Sequence, residues 1–95
     1  APLLQLPPAE LDADLVPAPL VALRADPRAA RLVETLRAYL DHGGSIPRTA
    51  QALHLHRTSL YYRLDQIRAV TGLDLDDGRD RLLLHLGLLV ADLTG

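Results

Sequence analysis

The sequence predicts an all-α fold, a compact bundle of about five helices in one small domain. Two observations point there. Apolar residues recur at helical spacing in segments closed by proline or glycine, and no stretch alternates with the two-residue period of a strand. A third, the 48% apolar content, supplies a core although only three residues are aromatic. A chain of 95 residues buries roughly two-thirds or less of its unfolded surface, so that core is adequate rather than deep.

Residues 1–8, "APLLQLPP", read as a linker from an upstream region, because Pro2, Pro7 and Pro8 fix φ and remove backbone donors. The chain also begins without methionine, as expected of a piece of a longer polypeptide. A single helical domain is expected over 9–95. Its first helical stretch, about 9–24, is broken at Pro17 and Pro19, with Leu11 and Leu15 inward before the break. Asp26 followed by Pro27 is a helix start, a capping carboxylate and then a residue whose missing N–H costs nothing there. The helix predicted over 27–42 turns Leu32, Val33, Leu36, Tyr39 and Leu40 inward and Arg31, Glu34, Arg37 and Asp41 outward. Gly43 and Gly44 end it.

Ser45 caps a brief helix over 46–53, and after the turn "HLH" a longer one is predicted over 57–71, stopped by Gly72. Leu60, Leu64, Ile67 and Thr71 share one face of it. Asp77 caps the last helix, 78–93, which is apolar almost all round and should therefore be covered on more than one side. It either completes the core or forms part of a dimer contact.

Composition excludes several functions. There is no cysteine, hence no disulfide and no thiolate metal site. The longest apolar stretch, "LLLHLGLLVA", is about half of the ~20 residues that a membrane span needs. A cytoplasmic protein without membrane association is expected. The four histidines lack the ligand spacing of a zinc site, and the aspartates between 74 and 80 lack the loop of a calcium site. No nucleophile stands near an evident base. The sequence predicts no enzyme, no cofactor and no metal.

The formal net charge is −2, yet charge is unevenly spread. All ten basic residues are arginine; four of them (48, 57, 63 and 68) fall between 48 and 68 against one acid, Asp65, a local charge of +3. That segment contains a short helix, a three-residue turn and a longer helix, the spacing of a helix-turn-helix at 46–71. Ala50 is small where the helices must cross, and Leu53, Leu55, Leu60 and Leu64 converge on one cluster. The first turn of the second helix then offers His56, Arg57, Thr58 and Ser59, the polar and basic groups suited to a major groove. Arg57 and Ser59 are expected to read bases, helped by His56 and Thr58, while Arg48, Tyr62 and Arg68 hold phosphates. Tyr61, on the flank, is expected to be partly buried. Arg63 suits a phosphate contact and a structural ion pair equally.

Residues 32–77, "LVETLRAYLDHGGSIPRTAQALHLHRTSLYYRLDQIRAVTGLDLDD", resemble the C-terminal helix-turn-helix domain of PucR/CdaR-type bacterial transcription regulators. The linked motifs "TLRAYL", the glycine break, "HRTSLYYRL" and "TGLDL" carry the resemblance, and the DNA-facing stretch is similar also to that of the factor for inversion stimulation. The resemblance implies sequence-specific binding of double-stranded DNA by an output domain that follows a ligand-sensing region of the same polypeptide. By position it assigns DNA contact to His56, Arg57, Ser59 and Tyr62. Thr58 and Ser59 stand where the family usually has Asn and Thr, a mild change in hydrogen bonding. Asp65 and Gln66 stand where basic residues are common, and Asp65 facing the duplex would repel phosphates. The competing reading is a helical docking or dimerisation module without DNA binding, motivated by the negative total charge and the apolar last helix. A homodimer would suit either.

Overall fold

The computed structural model describes residues 16–94, so the linker at 1–8 and any helix over 9–15 lie outside the described residues. Five helices follow: α1 (Ala18–Ala25), α2 (Ala29–Asp41), α3 (Ile46–Leu53), α4 (Arg57–Thr71) and α5 (Gly78–Thr94). No strand occurs among the described residues.

Each boundary has a local cause. Pro17 precedes α1 and Pro19 sits in its first turn, where proline removes a donor that has no partner anyway. Asp26 closes α1 in an extended conformation. Its carboxylate accepts from the Arg28 backbone N–H at 2.7 Å, and its carbonyl accepts from the Ala29 N–H at 2.9 Å. Asp26 therefore closes the turn of Pro27 and Arg28 instead of capping α2, whose N-cap position is Arg28 without a side-chain cap, and α2 begins two residues later than the sequence suggests. At the other end, Gly43 and Gly44 take φ of +63° and +81°, where a side chain is strained. A Cβ at Gly44 would lie 2.6 Å from Arg81 Nη1, the far end of a flexible side chain, so the positive φ is the stronger reason for glycine there. In the connection before α5, the Asp77 carboxylate accepts from the Arg79 and Asp80 N–H groups at 2.8 and 3.2 Å, and the Asp80 carboxylate accepts from the Asp74 N–H at 2.8 Å.

α2 packs against all four other helices. α3 and α4 pack on α2 and on each other, α1 packs on α2, α4 and α5, and α5 touches only α1 and α2. The core accordingly runs through the middle: Leu20 and Leu23 of α1, Leu32 and Leu36 of α2, and Leu60, Leu64 and Ile67 of α4 are inaccessible to solvent. Leu75, in the connection before α5, is equally buried. Tyr39 donates its hydroxyl to the Leu75 carbonyl at 3.2 Å, so the polar tip of the largest core side chain is satisfied. Close approach of α5 to α1 depends on Gly87, where a Cβ would lie 2.9 Å from Pro17 Cδ.

The last helix corrects the expectation that it is covered on more than one side. Leu84, Leu88 and Ala91 are buried against α1 and α2, whereas Leu82, Leu86, Leu89 and Leu93 are exposed. The reason is topological: nothing among the described residues crosses the outer side of α5. Arg37 of α2 ties this helix down at its end, donating two hydrogen bonds to Asp92 at 2.7 and 2.9 Å.

Two measurements test these packing statements. Leu64→Ala should lower unfolding free energy by ~2–5 kcal/mol in urea titration, because it empties a fully enclosed site. The hydrogen bonds from Arg37 hold the Asp92 carboxyl below its ordinary value of 3.8. A depressed folded-state value contributes stability above the ordinary value, and that stability is lost as pH falls through the folded one. Acid unfolding of Asp92→Asn should therefore show a shallower loss below pH 3.8 than the parent protein.

Candidate nucleic-acid interface

The unit formed by α3 and α4 is assembled from short-range interactions that the local sequence provides. Ser45 Oγ accepts from the Arg48 N–H at 3.3 Å, capping α3, and the buried Thr49 hydroxyl donates to the Ser45 carbonyl at 2.6 Å. Ala50 is 8% exposed, leaving no bulk where the two helices meet. The turn is made by His54, the one described non-glycine residue with positive φ, at +55°. Behind it the Leu55 N–H returns to the Ala50 carbonyl at 2.9 Å, the bond that closes a helix end with a left-handed residue. Leu53 and Leu55 are half-buried in the angle between the helices. α4 then starts under a histidine cap: His56 Nδ1 accepts from the Thr58 N–H at 3.1 Å.

Beyond that cap the polypeptide is open. His56, Arg57, Thr58 and Ser59 are all exposed, and so is Arg48 at the start of α3. No acidic residue lies in the first turn of α4, so the positive end of the helix dipole and Arg57 act in the same direction. Thr58, Ser59 and Tyr62 line an open cleft of about 410 Å³ together with Leu55, Arg63 and Arg31. The structure thus gathers five expected residues (56, 57, 58, 59 and 62) around the amino end of one helix. Arg68 stands apart, 11 residues along α4 and ~16 Å away. It donates to Asp65 at 2.9 Å and lies 3.7 Å from Asp76. Asp65, which would repel phosphates if it faced the duplex, is turned toward this arginine.

Other positions differ from the sequence expectation. Tyr61 is 49% exposed rather than partly buried, because it lies about 100° round the helix from Leu60 and no neighbouring element reaches that flank. Arg63 makes no ion pair among the described residues; its guanidinium donates to Thr35 Oγ1 at 3.3 Å, while that hydroxyl donates to the Arg31 carbonyl at 2.8 Å. Gln66, beside Asp65, is half-buried.

Arg31 was not foreseen at the site. Helical spacing places it on the outer side of α2 and says nothing of what lies beside it. Only the crossing of α2 over α4 brings it to the cleft, exposed and without a carboxylate partner among the described residues. Arg28 is nearby and close enough to Tyr62 to interact electrostatically, but its guanidinium is held by Asp26 at 2.9 and 3.1 Å. That hydrogen bonding raises the arginine above, and lowers the aspartate below, their ordinary values. Among the described residues, no group of three His, Cys, Asp or Glu side chains could hold a metal ion. Nor is any described helix long and apolar enough to cross a membrane.

Two helices crossing at an alanine, with the amino end of the second left bare, form a helix-turn-helix unit of the DNA-binding class. The chain belongs to the PucR C-terminal helix-turn-helix domain family, whose pattern matches residues 32–90. This family is a class of transcription-regulator domain, not of enzymes. The chain is 41% identical to the carbohydrate diacid regulator of Escherichia coli K12 over 74% of its own length and 18% of that protein's. It is 32% identical to the proline-responsive transcriptional activator PutR of Bacillus subtilis 168, over 75% of its own length and 17% of the activator's. It therefore spans less than a fifth of either regulator. No solved structure matches the chain.

The turn yields a prediction. Left-handed backbone costs a side-chain-bearing residue about 1–2 kcal/mol, part of which glycine gives back as unfolded-state entropy. His54→Gly should therefore raise the unfolding free energy by about 0.5–1 kcal/mol, read from urea denaturation.

Proposed function

We propose that this domain binds double-stranded DNA sequence-specifically, with α4 in the major groove, as the output domain of a bacterial transcriptional regulator. The observation that carries the reading is the open, cationic amino end of α4, with His56, Arg57, Thr58 and Ser59 exposed and no acid in the first turn. Membership of a regulator family and two regulators among the relatives support it. Their much greater length supports a sensory region upstream in the whole protein, which would work in the cytoplasm.

In this reading Arg57 and Ser59 meet base edges, the arginine in the two-pronged geometry that suits guanine. His56 uses Nδ1 for the helix cap, leaving Nε2 to reach the duplex. Thr58 lies beside Ser59 on the same open turn. Arg48 and Tyr62 bond phosphates on either side, and Arg31 joins them from α2. Arg68 contributes only where a phosphate displaces Asp65 or Asp76 from its guanidinium.

The test begins by selecting a site from random duplexes and measuring affinity against salt. Affinity should fall steeply as salt rises, through release of counterions from the duplex. Arg57→Ala should cost ~1–3 kcal/mol on the selected site and relax its sequence preference, whereas Arg48→Ala and Arg31→Ala should weaken selected and random duplexes alike. No binding, or a response flat in salt, would favour a docking module instead.

A further inference from the structure

We propose that Arg31 and Arg63 form a phosphate clamp, held in position by the buried hydroxyl of Thr35, which takes one phosphodiester at the rim of the groove. The clamp rests on the DNA reading above and gives a task to Arg63, which that reading leaves without one. Arg63 is half-buried, yet no carboxylate pairs with it among the described residues. Its guanidinium donates instead to Thr35 Oγ1 at 3.3 Å. A cation withdrawn from water is ordinarily met by an anion, and a neutral hydroxyl supplies no counter-charge. Arg31 lines the same cleft of about 410 Å³, exposed, and it too has no carboxylate among the described residues. Two like charges on one cleft repel each other until an anion comes between them.

Thr35 decides how the Arg63 fork is held. It is inaccessible to solvent, and its one hydroxyl proton is committed to the Arg31 carbonyl at 2.8 Å. The oxygen can therefore only accept from Arg63, which fixes one edge of the planar guanidinium against α2. The same side chain lines the cleft, with its other N–H groups unpartnered among the described residues. Such a fork suits two oxygens of one phosphate, and Arg31 supplies a second cation from the α2 side.

Position makes the duplex backbone, not a base, the source of that phosphate. Arg63 follows Ser59 by four residues, about one turn and ~6 Å along α4, on the same flank. A helix that enters the groove by its amino end sets the next turn at the rim, where the phosphates run. Tyr62 lines the same cleft, so its hydroxyl can share the group.

Methylphosphonate substitution, which makes one chosen phosphate neutral, tests the clamp on the selected duplex. Scanned along both strands, it should find a position that costs the parent protein about tenfold in affinity and costs Arg63→Ala little. Arg57→Ala should keep the parent's sensitivity there. Removing both arginines of the clamp should lower the slope of log affinity against log salt by about one rather than about two, since they serve a single phosphate. Thr35→Val keeps the side chain's shape without its hydroxyl; it should weaken binding about three- to tenfold with unchanged helical circular dichroism, and Thr35→Ser should restore parental affinity. Equal responses of parent and Arg63→Ala at every phosphate would overturn the clamp and leave the DNA reading intact, whereas a parent without affinity for any duplex would overturn both. Parental affinity in Thr35→Val would remove that hydroxyl from positioning the fork.

Discussion

Burial of the broad apolar face of α2 is the constraint from which the rest of the molecule takes its arrangement. Leu32 and Leu36 are inaccessible, Tyr39 is nearly so, and every other helix packs against this one. A single helix in water cannot hide such a set, and one neighbour would cover only a stripe of it. The helix-turn-helix unit therefore lies along one side of α2 and the last helix along another, with α1 joining both. Polar contacts follow the same frame: Arg63 reaches Thr35 across the α2–α4 crossing, and Arg37 reaches Asp92 across to α5.

That arrangement explains how a domain of net charge −2 keeps a cationic surface. Asp26 occupies Arg28, Asp92 occupies Arg37, and Asp65 with Asp76 occupies Arg68. Among the described residues, the arginines without a carboxylate include Arg31 and Arg57, which stand near the amino end of α4, and Arg48 at the start of α3. Local pairing thus decides which cations are available more than the total does. Surface pairs of this kind add little stability, and their main consequence here is where positive charge is left over.

Much of this was legible along the chain. Proline and glycine act through their own backbone preferences, so Pro17, Gly43 and Gly72 mark boundaries without help from the rest of the fold. Ser45 and Asp77 likewise cap with atoms two or three residues away. The leucines of α4 announce their face because helical geometry is local and periodic. What failed to show were the entry to α2, delayed by a turn at Pro27 and Arg28, and the exposure of Tyr61 on a flank no neighbour reaches.

The sequence by itself determined the all-α class, the helix ends apart from the entry to α2, the helix-turn-helix spacing and the residues on its second helix, because each rests on interactions within a few positions. Tertiary structure alone decided that Arg31 joins Ser59 and Tyr62, that Arg68 is taken up by carboxylates, and that five of the seven leucines of the last helix remain uncovered. These outcomes depend on which helix crosses which and at what side. Periodicity reveals that a face is apolar or charged, but only packing determines what that face meets.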